Sequence, residues 1–199
     1  MAGVVLAGGL STRMGQEKAL LRVHGAQQPH LLERTYRLLR ALAAPCWVSC
    51  RPGQTYVGYD CLHDAESGQG PCAGILTALL HANQRGCRAL LALACDLPFM
   101  DTPTLRRLLA AHAKASPEIA LTLYVAPNGR QEQLVAVYDV GALPFFTAAL
   151  ARGQRSLADI VPADRRQALA YTQEQALPFF NMNRPSDLAW AVAAAAQQN

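Results

Sequence analysis

An α/β fold, with helices on both faces of a mostly parallel but mixed sheet, follows from two rhythms in the sequence. In the first 116 residues, strand-like apolar runs at 3–7, 46–50, 60–63 and 88–94 alternate with helix-like segments at 29–42, 72–84 and 103–114. Such alternation places helices over a parallel sheet. After residue 118 the rhythm changes. Ile119–Ala126 and Leu134–Asp139 flank a Pro127-Asn128-Gly129 turn and read as a hairpin, which brings in an antiparallel strand.

Each element has its own reason. The run at 3–7 stops at Gly8-Gly9, and the residues from Arg88 to Ala94 are almost all apolar, as suits a central strand covered on both faces. A helix precedes Gly153. The last helix starts at Pro185 or Ser186, and its alanine-rich end, Ala189 to Ala196, is good helix-forming sequence rather than low-complexity filler. No internal repeat is present. With 199 residues, 51% of them hydrophobic, the chain is long enough to bury a sizeable core and short enough for one domain, 1–199.

Composition excludes more than it proposes. The net charge of +4 is modest and suits a small anionic substrate. No run of basic residues with interleaved aromatics argues for nucleic acid. No apolar stretch spans a bilayer, and the N-terminus enters the first strand without a charged leader, so a cytosolic protein is expected. Six cysteines, at 46, 50, 61, 72, 87 and 95, lie mostly among apolar residues without a C-x-x-C pair and read as reduced core residues. Cys46 and Cys50 share one face of a strand but lack two further ligands for zinc. The five histidines show no acid/base or ligand spacing, Ser11 lacks a triad pattern, and Trp47 and Trp190 read as packing residues.

The informative stretch is Gly3 to Lys18. A buried strand stops at two glycines, opens into a polar loop holding Arg13, turns again at Gly15 and reaches Lys18. Adjacent glycines let backbone N–H groups approach an anion, while Arg13 and Lys18 supply a planar fork and a point charge. This suits a triphosphate. The spacing is neither that of a P-loop, where Ser or Thr follows the lysine, nor that of a dinucleotide fingerprint. An ordinary strand-to-loop turn with solvated basic residues is the plain alternative.

Two further features would meet this loop. Strands ending at Gly8-Gly9 and at Cys95-Asp96 open on one crevice at the carboxyl edge of the sheet. Asp96 is an oxygen ligand placed to leave the core, which suits Mg²⁺, although an aspartate before a proline-containing turn also serves as a cap. Asn181 and Asn183, two apart in an extended segment, face the same way and offer paired amides, or else simply lead into the last helix.

The segment Leu6-Ala7-Gly8-Gly9-x-Ser11-x-Arg13-Met14-Gly15-x-x-Lys18 resembles the opening signature of the molybdenum cofactor guanylyltransferase (MobA) family of nucleotidyltransferases. Cys95-Asp96-Leu97-Pro98-Phe99 is similar to that family's magnesium-binding segment, and Asn181-x-Asn183-x-Pro185-x-Asp187-Leu188 to a late motif. The resemblance implies a Rossmann-like three-layer α/β/α fold. It also implies nucleotide binding by the half 1–116 and molybdopterin binding by the half 117–199. Gly8 leans toward the guanine-using branch, since related cytidylyltransferases carry alanine there.

By the same resemblance, Leu6, Ala7, Gly8, Gly9, Gly15 and Lys18 hold the nucleotide's phosphates. Asp64, Gly70, Pro71 and Gly74 face its guanine and ribose, and Asn181 and Asn183 complete the binding set. Arg13, Lys18 and Asp96 are the catalytic residues, with Asp96 on Mg²⁺. The implied reaction transfers GMP from GTP to molybdenum-molybdopterin, and cofactor-synthesis and acceptor proteins are the implied partners. The chain departs from the family pattern at Glu17, in place of the usual aspartate, at Cys50-Arg51, in place of an asparagine, and at Gln133, in place of a proline. Another nucleotidyltransferase, using CTP on the pterin or a nucleotide on a phosphosugar, is the nearest alternative. A non-catalytic protein that holds or delivers the cofactor is the alternative of a different class.

Overall fold

The computed structural model describes residues 1–8, 17–63, 70–154 and 156–197. Of the site residues expected from sequence, Gly9, Arg13, Gly15 and Asp64 lie outside that set. The described chain builds one seven-stranded sheet, in the order β3-β2-β1-β4-β6-β5-β7, from β1 (Ala2–Leu6), β2 (Cys46–Cys50), β3 (Cys61–His63), β4 (Ala89–Ala94), β5 (Leu121–Val125), β6 (Gln131–Asp139) and β7 (Arg166–Ala170). Strands β1 to β4 are mutually parallel, β6 runs antiparallel to both β4 and β5, and β7 pairs parallel with β5. The sheet is therefore mixed through a single reversed strand.

Alternation along the strands makes two cores. Val5, Val48, Leu91, Leu93, Tyr124 and Val137 point to one face, where they meet Leu32 and Leu39 of α1 (Leu31–Arg40) and Leu105 and Leu108 of α3 (Thr102–Ala113). Val4, Trp47, Leu90, Ala92, Leu123 and Tyr138 point to the other, against α2 (Gly70–Gln84) and α4 (Leu143–Ala151). Every residue of β4 is buried, the consequence of its covered faces and its place between β1 and β6. A third cluster, built on Val23, Leu31, Phe99 and Met182, seats α5 (Pro185–Ala196).

The helix starts are legible in their caps. His30 Nδ1 accepts from Glu33 N at 3.1 Å ahead of α1, and Asp101 Oδ1 accepts from Thr104 N at 2.8 Å ahead of α3. Strand β7 was not expected from sequence. Its Arg-Gln-Ala-Leu-Ala carries no β-branched residue and stays half-exposed at the sheet edge, so pairing with β5, rather than local preference, makes it a strand. The hairpin forms as expected, with Gly129 at φ +82° in its turn, but its register shifts between Leu123 and Val125. This irregularity takes in Gln133, which falls between the paired positions Gln131 and Val135. Trp47 is buried, whereas Trp190 is 48% exposed while packing on Phe99 and Phe180.

All six cysteines are free thiols, and Cys46, Cys50, Cys72 and Cys95 are buried. Burial pushes the Cys46 and Cys72 thiols up to about 11, so they stay protonated and unreactive. Among the described residues no helix is long and apolar enough to cross a membrane.

Gly3 is required by packing rather than by backbone conformation. A methyl group there would stand 2.9 Å from Cys46 Sγ and 3.4 Å from Ala43 Cβ, because β1, β2 and the end of α1 close on one another at this point. Gly3→Ala is expected to destabilise the protein by ~1–3 kcal/mol through overpacking. In chemical denaturation, Gly3→Ala combined with Cys46→Ala should lose less than the sum of the two single changes.

Candidate active site

The site begins where β4 ends. Cys95 N donates to Leu6 O at 3.3 Å and Ala7 N to Ser49 O at 3.2 Å, so the carboxyl ends of β4, β1 and β2 are tied together. The next residue, Asp96, turns its side chain out of the core, with 19% of it exposed. It caps nothing, since Asp101 caps the helix that follows. Instead its Oδ2 lies 3.4 Å from Lys18 Nζ, while Oδ1 is buried with no hydrogen-bond partner among the described residues.

Lys18 comes from the start of a single 3-10 turn, Lys18–Leu20, and its side chain is 16% exposed. Its ammonium also donates to Asn183 Oδ1 at 3.0 Å. Asn183 lies at the far end of the chain, 165 residues away in sequence. Met182 N donates to Asp96 O at 3.0 Å, so the segment preceding α5 runs alongside the aspartate. Met182 itself sinks into the third core, which turns its two asparagine neighbours the other way. Asn181 Oδ1 is, like Asp96 Oδ1, buried and unpartnered among the described residues.

The entry into the last helix uses a different side chain. Asp187 Oδ2 accepts from the backbone N–H groups of both Asn183 and Arg184 at 2.8 Å, and these two bonds hold its carboxyl below the usual range. The asparagine amides are thereby released from capping and left to the crevice. Burial pushes the Asp96 carboxyl above its ordinary value, and Lys18 pulls it part of the way back. The Lys18–Asp96 pair thus meets the segment that carries Asn181, with Oδ1 of Asp96 and Oδ1 of Asn181 both unpartnered among the described residues.

The remaining described residues take places at the same end of the sheet. Leu6 ends β1, Ala7 is buried, and Gly8 lies beside Arg51, where a methyl group would stand 3.6 Å from Arg51 Cγ in ordinary contact. The fold thus accepts alanine at position 8. Gly70, at φ +66°, and Pro71 open α2, and Gly74 is buried within its second turn. Sequence reasoning missed Tyr56 and Gln54, on the connection between β2 and β3: both meet the Glu17 carboxylate, Tyr56 Oη at 2.5 Å. No spacing rule could have found them, because the contact closes over 39 residues. Behind the Asp96 segment, a separate cleft of about 550 Å³ is lined by Arg34, Arg107, Tyr124, Tyr171 and Phe179, and none of the expected site residues borders it.

Residues 3–170 match the MobA-like NTP transferase domain. The chain belongs to that family. It is 34% identical over 194 residues to a probable molybdenum cofactor guanylyltransferase of Opitutus terrae, covering 94% of this chain and 92% of that one. It is likewise 34% identical over 195 residues to the molybdenum cofactor guanylyltransferase of Rhodobacter capsulatus, covering 96% and 94%. The crystal structure of molybdopterin-guanine dinucleotide biosynthesis protein A from Archaeoglobus fulgidus superposes with a TM-score of 0.77 at 24% identity, over 99% of this chain and 100% of that one. The Rossmann-like α/β fold and a nucleotidyltransferase enzyme both follow from this membership.

The buried carboxylate sets a pH signature. A carboxyl raised in the folded state costs no stability while protonated and costs progressively more as pH rises from its ordinary value, near ~4, through its folded value. Asp96→Asn is therefore expected to raise the melting temperature of the ligand-free protein at pH 7, with the gain closing as the pH is lowered to ~4. Thermal melts of both proteins across that range check this.

Proposed function

We propose that the protein transfers GMP from GTP to molybdenum-molybdopterin, yielding the guanine dinucleotide form of the cofactor and pyrophosphate. The observation that carries this reading is the meeting of Lys18, Asp96 and Asn183 at the carboxyl edge of the sheet, beside two buried oxygens that lack donors among the described residues. Membership of the MobA-like family and full-length relatives named as guanylyltransferases support the choice of substrates.

The donor set fits Mg²⁺. Asp96 Oδ1 and Asn181 Oδ1 are hard oxygen donors in want of partners, and among the described residues no group of three or more His, Cys, Asp or Glu offers an all-protein cage. Mg²⁺ is commonly held in this sparse way, with substrate phosphates and water completing its shell. When bound, it supplies charge neutralisation at the phosphates. Asp96 would hold it, with Asn181 in support.

The protein's own residues divide the remaining work. Lys18 moves its ammonium from its protein acceptors to the triphosphate, and the backbone from Leu6 to Gly8 lies under the path of the phosphates. The family resemblance assigns Arg13, Gly9 and Gly15 to the triphosphate and Asp64, Gly70, Pro71 and Gly74 to the nucleoside. The acceptor phosphate brings its own nucleophilic oxygen to the α-phosphorus, so no residue has to act as general base. Catalysis of this kind is positioning and electrostatics. Base choice rests on Gly8, whose missing side chain leaves room that the protein itself does not need.

The test is pyrophosphate release with GTP, CTP, ATP or UTP in turn, with Mg²⁺ and molybdopterin supplied. Release with GTP alone is expected, and release with CTP instead would move the enzyme to the cytidylyl reaction. Asp96→Ala should lower turnover by ~10³-fold or more, in keeping with loss of a principal electrostatic group. Full turnover in that variant would remove Asp96 from the metal. Gly8→Ala should fold normally and shift the GTP to CTP preference toward CTP.

A further inference from the structure

Glu17 immediately precedes Lys18, and its carboxylate is committed to the connection between β2 and β3. Glu17 Oε1 accepts from Tyr56 Oη at 2.5 Å and also from Gln54 Nε2. Gln54 Nε2 and Tyr56 Oη are themselves 2.9 Å apart, so the three side chains close a triangle. Two more contacts brace it. Gln54 Oε1 accepts from Arg51 Nε at 3.3 Å, and Gln54 O meets His63 Nε2 at 2.9 Å. Tyr56 is buried, and burial together with the neighbouring carboxylate pushes its phenol well above the ordinary range, so it stays a donor.

On the other side of Lys18, Ala19 is buried in the core beneath α1, and Leu20 N donates back to Glu17 O at 3.1 Å. Lys18 is therefore set by two anchors, one of them the Glu17 triangle, at the point where its ammonium reaches Asp96 and Asn183. The connection that carries Gln54 and Tyr56 leaves β2 at Arg51, beside Gly8. The triangle thus joins the wall next to Gly8 to the lysine at the end of the phosphate loop.

We infer that Glu17 is a positioning residue that holds Lys18 in register through Tyr56 and Gln54, and that its length rather than its charge is what this role requires. An aspartate is shorter by one carbon–carbon bond, ~1.5 Å, which takes its oxygens out of reach of the Tyr56 hydroxyl. A glutamine keeps the length and an Oε1 that can accept both bonds. The inference rests on the guanylyl-transfer reading for its kinetic consequence alone.

The chain has only two lysines, Lys18 and Lys114, and Lys114 just past α3 is exposed, so each experiment carries its own reference. Acylation of the ligand-free protein with acetic anhydride, followed by mass spectrometry, reads how well Lys18 is held. Lys18 should label more slowly than Lys114 in the wild type and in Glu17→Gln. In Glu17→Asp and Tyr56→Phe its rate should rise severalfold, with Lys114 unchanged. Lys18 reactivity that is unmoved in Glu17→Asp and Tyr56→Phe would overturn the inference, as would a Glu17→Gln protein that labels like Glu17→Asp.

Steady-state kinetics give the second readout. Glu17→Gln should stay within threefold of the wild type, while Glu17→Asp and Tyr56→Phe lose roughly ten- to a hundredfold, mainly in kcat, as a displaced positioning group does. Loss in Glu17→Gln with full activity in Glu17→Asp would assign the effect to charge and overturn the inference. A wild-type protein that releases no pyrophosphate would count against guanylyl transfer alone, and the labelling comparison would still decide whether Glu17 positions Lys18.

Discussion

The structure turns on a carboxylate that leaves the protein core with one oxygen paired and the other without a partner among the described residues. Asp96 follows a strand buried along its whole length, so its backbone position is imposed by the sheet rather than by the loop it begins. Lys18 neutralises it from one side, but desolvation still prevails. A group in that condition favours a ligand that brings positive charge. Stability is given up at a place where binding can recover it.

The topology gathers these groups from three distant parts of the chain. Parallel strands β1, β2 and β4 deliver Gly8, Arg51 and Asp96 to a single edge, because parallel strands all end on the same side. The reversed strand β6 begins at that edge instead of ending there, so Gln131, Glu132 and Gln133 stand beside the crevice. Arg166 Nη1 donates to Gln131 Oε1 at 3.0 Å, and Tyr171 Oη donates to Glu132 Oε1 at 2.7 Å, which ties β7 and the segment after it to the start of β6. The last segment is then held by one backbone bond, from Met182 N to Asp96 O, and by the burial of Met182. Moving Met182 would take Asn181 and Asn183 with it.

Much of this was legible in the residues. Apolar runs bounded by glycine or by an aspartate marked the central strands, and their alternation with helical segments was enough for the layers. Asp96 stood out in the sequence as a charged residue at the end of a continuous apolar run, with a turn or helix cap and an oxygen ligand both open, and the structure gives the cap to Asp101 instead. Strand β7 was not legible, since half-exposed Arg, Gln and Ala carry little preference until β5 offers a partner. Nor was the triangle at Glu17. Its members look like ordinary polar loop residues, and the length of the Glu17 side chain acquires a meaning only from its contact with Tyr56.

The sequence by itself determined the α/β class, the strand ends that face the crevice, and the residue types available there: glycines, two basic side chains, a carboxylate and two amides. These follow from local chemistry and from the two periodicities of helix and strand. Only the tertiary structure decided which of them meet. It paired Lys18 with Asp96 and Asn183, gave the capping of α5 to Asp187, and left one oxygen each of Asp96 and Asn181 without a partner among the described residues. The reason is that contacts across 78 and 165 residues are set by the closure of the sheet and the burial of the core, which no local pattern records.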